Sequence, residues 1–219
     1  AFLYQNYKGG IWHYNPVTAS WSVGPAIPFW PGYPAAEYDP ISGKIVILGK
    51  DGLYTYDPVS RVATQHQNTV RPDLSYAQNM VYCPNDQKHY YVLPDGRVFE
   101  IALDRMNWSS STVIEIPVTG SLPPGPLTGT GETGWSWDTH ANRIVGGFGL
   151  GRFTNVYGFD PVSRVWQQRS MLSVGRTPEK LAWHCCDYSI RDNVHIFVGK
   201  TPTWIGNSTY GTWAYRWGS

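Results

Sequence analysis

The hexapeptide Asp57-Pro-Val-Ser-Arg-Val62 occurs a second time, unchanged, at Asp160-Pro-Val-Ser-Arg-Val165. Each copy follows an aromatic-ended strand pattern, Leu53-Tyr-Thr-Tyr56 before the first and Val156-Tyr-Gly-Phe159 before the second. A looser copy stands near the start, where Trp12-His-Tyr14 runs into Asn15-Pro-Val-Thr18 and then Trp21. Asp at the first turn position accepts backbone amides, and Pro at the second presets φ near −65°. These carboxylates therefore read as hairpin caps and not as catalytic groups. A strand–turn–strand unit that recurs in this way defines a repeat protein, and the repeat dictates architecture before function.

Five units follow from that register, about 1–23, 34–66, 76–110, 134–168 and 180–217. Asp51-Gly52 and Asp95-Gly96 lie 44 residues apart, as do Tyr38 and Tyr82, so two neighbouring hairpins keep step. The third unit is expected to close with a turn at 104–107 and a last strand at Trp108. No segment has a 3.6-residue apolar period, so no long helix is expected. Units of about 40–55 residues with four short strands are the signature of propeller blades. The expectation is an all-β chain forming a single β-propeller domain over 1–219. It should have about five four-stranded blades, with the first and last incomplete and 18 strands in all. Unpaired strand edges are a liability that proteins normally cover, so a larger assembly is expected around it.

Composition agrees with sheet. The chain has 219 residues with 11 Trp and 15 Tyr, and aromatic side chains pack well on a pleated surface. Its 23 Gly and 17 Pro fall between hydrophobic runs and so mark turns. With 15% charged residues and a formal net charge of +1, there is no electrostatic footprint for nucleic acid or an anionic membrane. No apolar run approaches the roughly 18–20 residues of a membrane helix. Three cysteines, Cys83, Cys185 and Cys186, make no disulfide framework. Neighbouring strand residues face opposite sides, so Cys185 and Cys186 read as buried free thiols, with a vicinal disulfide as the rare alternative, and not as a metal site. No metal and no cofactor are expected.

Gly9-Gly10 and Gly146-Gly147 after hydrophobic strands, then an aromatic-Asp or aromatic-Asn turn, then Trp21 or Trp166, resemble the Kelch repeat. The likeness runs through the whole chain, but Gly49-Lys50, Pro94-Asp95 and Gly199-Lys200 replace the double glycine in three units. A five-bladed, lectin-like propeller of the tachylectin kind is the alternative on size. A Kelch-like blade implies that the Asp-Pro turns share one face, with the irregular links on the other. Those links are 24–34, 66–76, 111–134, 149–155, 169–179 and 200–211. Binding residues concentrate on such loops. The candidates are Trp30, Tyr33, Lys50, Arg71, Trp135, Arg152, Arg176, Lys200 and Trp204. An exposed Trp beside hydrogen-bonding groups suits stacking on a sugar ring or anchoring a protein.

Enzyme patterns are sparse. There is no Gly-x-Ser-x-Gly elbow, His-Glu-x-x-His motif or phosphate-cradling glycine loop. Asp51, Asp73, Glu132 and Glu179 are the loop carboxylates available for glycoside chemistry. The leading expectation is a non-catalytic module binding a carbohydrate or a protein surface, outside the cell or on a virion or cell surface. The alternatives are a structural decoration module of a larger particle and a polysaccharide-cleaving enzyme.

Overall fold

A computed structural model describes residues 2–5, 10–26, 34–49, 52–67, 79–125, 134–147, 155–170, 182–201 and 209–218. The described residues are all-β apart from one 3-10 turn at Trp108–Ser110. No helix among them is long and apolar enough to cross a membrane.

Each repeat folds into its own sheet, antiparallel except for one two-residue edge strand in the fourth. The first holds β1 (Phe2–Gln5), β2 (Gly10–Asn15) and β3 (Ser20–Ala26). The second holds β4 (Ala35–Asp39), β5 (Lys44–Gly49), β6 (Gly52–Asp57) and β7 (Val62–Gln67). The third is built from β8 (Asn79–Cys83), β9 (Lys88–Val92), β10 (Val98–Ala102) and β11 (Thr112–Ile116). In the fourth, β12 (Thr119–Gly120) joins β13 (Trp135–Asp138), β14 (Arg143–Gly146), β15 (Asn155–Asp160) and β16 (Val165–Ser170). The last sheet comprises β17 (Ala182–Ser189), β18 (Val194–Thr201) and β19 (Thr209–Tyr215).

Nineteen strands are described where eighteen were expected, and the difference lies after β10. Trp108 is not a strand residue. It stacks on His66 at 5.4 Å between ring centroids, with Lys44 Nζ 5.7 Å from its own centroid. The fourth strand of that sheet is instead β11, two residues past the expected unit end at 110, where the β-branched run Thr-Val-Ile pairs along β10. Further along the same stretch, Thr119 and Gly120 pair in parallel with Val165 and Trp166. The link expected to be irregular over 111–134 thus contains two strands.

The chain divides into two compact units, 1–74 with 104–111, and 75–103 with 112–219. In the first, Ile11, Ile47, Tyr54 and Tyr56 form the buried cluster. In the second, one core joins Val81, Tyr90, Val92, Val98, Trp135, Ile144, Phe159 and Trp166. Burying each large apolar side chain contributes about 1.5–3 kcal/mol. Buried Trp166 also donates its indole N–H to the Gly96 carbonyl at 2.8 Å. A second cluster holds Val145, Val156, Phe197 and Trp217. Trp217 lies over Gly158, where a Cβ would come within 2.6 Å of the indole, and it is flanked by the Arg143 and Arg169 guanidiniums at 5.4 and 4.8 Å.

The turns share one construction. In the two identical copies, Asp57 Oδ1 accepts the amides of Val59 and Ser60, and Asp160 Oδ1 those of Val162 and Ser163. Asn15, Asp104 and Asp138 fold over their own turns in the same way. The residue four places after the first turn residue is left-handed: Ala19, Gly43, Arg61, Gln87, Asn142, Arg164 and Asn193, with φ between 49° and 70°. A side chain in that region costs about 1–2 kcal/mol.

Buried Asp39 has a second role. Arg105 donates Nε and Nη2 to its two carboxylate oxygens at 2.9 and 2.7 Å. Burial pushes the Asp39 carboxyl up, but the hydrogen bonds from Arg105 and Ser42 and the Arg105 charge outweigh it, and the group lies below the usual carboxylate range.

Three outcomes are expected. Arg164→Gly relieves the left-handed strain at an exposed position and raises stability by about 0.5–1 kcal/mol after glycine's entropy cost, about 1–4 °C in Tm by calorimetry. Arg105→Ala strands a buried carboxylate and costs about 3 kcal/mol in guanidinium denaturation. Because the folded Asp39 value is depressed, its contribution is present above about pH 4 and lost as pH falls further. Acid sensitivity below about pH 4 should therefore weaken in the Arg105→Ala protein.

Candidate functional site

The second unit contains a constellation with the spacing of a hydrolase triad. Ser136 Oγ and His195 Nδ1 are hydrogen-bonded at 2.8 Å, and His195 Nε2 meets Asp138 Oδ2 at 3.1 Å. Exposure decides its role. Asp138 and His195 are 0% exposed and Ser136 6%, so a substrate carbonyl cannot reach the hydroxyl. Asp138 is committed to the backbone as well, because its Oδ1 accepts the amides of His140 and Ala141. Burial raises the Asp138 carboxyl, whereas the hydrogen bonds from His195 and the turn amides lower it further, with a net value below normal. The arrangement pins β13 to β18, as Arg105 pins the β4–β5 turn.

The cysteines alternate as strand geometry requires. Both are free thiols, but Cys185 is exposed and not buried as expected, because it lies on the outward side of its strand, whereas Cys186 is partly buried with its Sγ 3.2 Å from Ser136 Oγ. Burial pushes the Cys186 thiol up to about 12. Cys83 is buried, and burial together with Asp86 pushes its thiol up to about 12 as well. No group of His, Cys, Asp and Glu among the described residues could hold a metal ion.

Among the described residues, two concavities are candidates. One lies in the first unit, about 290 Å³, walled by Ile11, Ala36, Tyr38, Ile45 and Tyr56 with Glu37 as its acidic group. The other, about 360 Å³, lies in the second unit. Three turns build it: β8–β9 with Asn85 and Asp86, β13–β14 with Trp137, Asn142 and Arg143, and β15–β16 with Asp160. Both are near the lower end of the range of about 300–1,000 Å³ typical of small-molecule sites.

Of the nine residues expected from sequence, Trp30, Tyr33, Lys50, Arg71, Arg152, Arg176 and Trp204 lie outside the described residues. Lys200 is in β18, paired with Ala182 and Tyr210. Trp135 is 3% exposed and packs edge-on against Trp166 at 5.3 Å, which makes it a core residue. The pocket was missed because its residues lie in turns and at the strand ends beside them, which sequence reduces to punctuation. One signal was present: Trp137-Asp-Thr-His-Ala-Asn-Arg143 departs from the Asp-Pro pattern and carries an aromatic, an amide and a guanidinium within seven residues.

Small antiparallel sheets, one from each repeat, are the construction of a β-propeller, and the fold belongs to that class. The structure of YjhT is similar, with a TM-score of 0.61 at 11% identity over 93% of this chain and 71% of that one. An auxiliary nutrient binding protein from Bacteroides ovatus ATCC 8483 is similar at a TM-score of 0.57 and 10% identity, over 88% of this chain. This chain spans about half, 51%, of that protein's length. At these identities the likeness is one of fold. No family model and no curated protein matches the sequence.

The thiol environments make a direct prediction. Of the three cysteines, Cys185 alone should react with an aromatic disulfide reagent at pH 8 in the native state. All three should react in guanidinium, and Cys185→Ser should abolish the fast native phase, read at 412 nm as about one equivalent.

Proposed function

We propose that this chain is a non-catalytic binding module, a Kelch-like β-propeller that recognises a carbohydrate or a protein surface. The observation that carries this reading is the pair of small-molecule-sized concavities, each with an aromatic side chain in its wall and polar groups beside it. In the larger of them, the carboxylates already cap turns: Asp160 Oδ1 accepts two backbone amides, and Asp86 accepts the Lys88 amide and the Tyr90 hydroxyl. Groups committed in this way orient a ligand better than they transfer protons to it.

The Kelch-like part of the reading is supported by the double glycine at 146–147. Gly146 has no room for a Cβ against Gly134 and the Trp135 ring, and Gly147 is left-handed at φ 70°. Support for binding as the task comes from the name of one similar structure, a nutrient binding protein. Trp30 and Trp204, aromatic residues expected from sequence on binding loops, remain candidate contacts of this reading. A setting at a cell or virion surface, or within a larger particle, belongs to the same proposal.

A glycan array followed by titration calorimetry tests it. At least one glycan or protein partner should bind, and a Trp30→Ala/Trp204→Ala double variant should weaken binding about tenfold with an unchanged melting temperature. Absence of any glycan or protein ligand, or turnover of a polysaccharide, would overturn the reading.

A further inference from the structure

The turn-built pocket of the second unit has a composition more specific than the general reading above, on which the following argument rests. Its aromatic wall is Trp137, whose indole nitrogen is buried with no hydrogen-bond partner among the described residues. A buried donor left in this way costs about 1–3 kcal/mol, and its N–H resonance reports on whatever seats against the ring.

Around the ring, hydrogen-bonding capacity is left over in both senses. The Asn85 amide donates to Asn142 Oδ1 at 3.1 Å. That bond leaves the Asn85 carbonyl as an acceptor and the Asn142 NH2 as a donor. Arg143 uses Nε on the Ala141 carbonyl and Nη1 on Gln167, so Nη2 remains. Asp86 and Asp160 are engaged by turn amides and hydroxyls, yet each carboxylate oxygen can accept more than one hydrogen bond.

Charge narrows the ligand class. Two carboxylates and one guanidinium give the lining a formal charge of −1, which disfavours acidic ligands. A hydroxyl both donates and accepts, so a ring bearing several hydroxyls matches a rim of mixed donors and acceptors. Its C–H face suits an aromatic wall. A cavity of about 360 Å³ accommodates one such ring with room to spare.

We infer that this pocket is a binding site for a neutral saccharide ring. Trp137 supplies the aromatic wall. Asn85, Asn142 and Arg143 read the hydroxyls, and Asp86 and Asp160 exclude uronates. Asn142 occupies the left-handed position of its turn at φ 51° and is exposed, so glycine there removes the amide without disturbing the backbone.

The test uses the whole chain and four neutral probes, glucose, galactose, mannose and N-acetylglucosamine, each titrated into 15N-labelled protein. At least one should shift the Trp137 indole N–H resonance with a millimolar Kd. Asn142→Gly and Asn85→Ala should each weaken it about tenfold without lowering Tm, and glucuronate should not compete. Three results would overturn the site: no neutral sugar shifts the Trp137 signal, Asn142→Gly binds as well as wild type, or glucuronate binds more tightly than glucose. If the Trp30→Ala/Trp204→Ala protein loses sugar binding while Asn142→Gly and Asn85→Ala keep it, the binding module stands and this site falls. Trp137→Phe, which keeps an aromatic wall, should abolish the indole signal and retain weakened binding by calorimetry.

Discussion

A carboxylate or amide oxygen folded back over two backbone amides is the interaction on which the sheets depend. It sets where each hairpin turns, and the left-handed residue four places after the start of the turn sets the register in which the next strand leaves. A one-residue slip would send every inward side chain outward. The buried cores of both units therefore rest on these small polar motifs. At Asp39 and Asp138 the cap lies inside the protein, and there it needs a donor from a distant strand or turn, Arg105 in one case and His195 in the other. Desolvating a carboxylate is expensive, and the partner turns that expense into a tie between elements far apart in sequence.

Much of this was legible from residue order alone. The two Asp-Pro-Val-Ser-Arg-Val copies do form turns of the same construction, with Arg61 and Arg164 both at φ 59°. Local chemistry fixes local geometry, and strand existence followed from it. Contacts between elements did not. Trp108 looked like a closing strand residue because aromatics mark strands elsewhere in the chain, but its ring is used on His66 instead. The strand that replaced it, Thr112–Ile116, has a β-branched run whose pairing depends on β10 being in place. Trp135 and Trp137 stand two residues apart on one strand, yet the first is core and the second walls a pocket. Exposure belongs to the neighbours, and a lone sequence carries little information about those.

The same distinction governs function. Ser136, His195 and Asp138 have distances that in a cleft would mean acyl transfer, and burial makes them a structural tie. Conversely, Asn85, Asn142 and Arg143 are ordinary turn residues until three turns bring them to one concavity beside an indole. Which groups a fold brings together, and whether solvent reaches them, is decided by contacts far apart in sequence.

The long-range partners of the two buried caps also order events during synthesis. Arg105 follows Asp39 by 66 residues and His195 follows Asp138 by 57. At roughly 5–20 residues per second, a ribosome takes on the order of 3–13 s to supply either partner. Until then each turn can form only with its carboxylate still in water. Each cap is sealed from the C-terminal side, so the nascent chain matures in the order it is made. Since Arg105 belongs to the first unit although 75–103 do not, cutting the gene at residue 74 would release a fragment whose first buried carboxylate never meets its guanidinium.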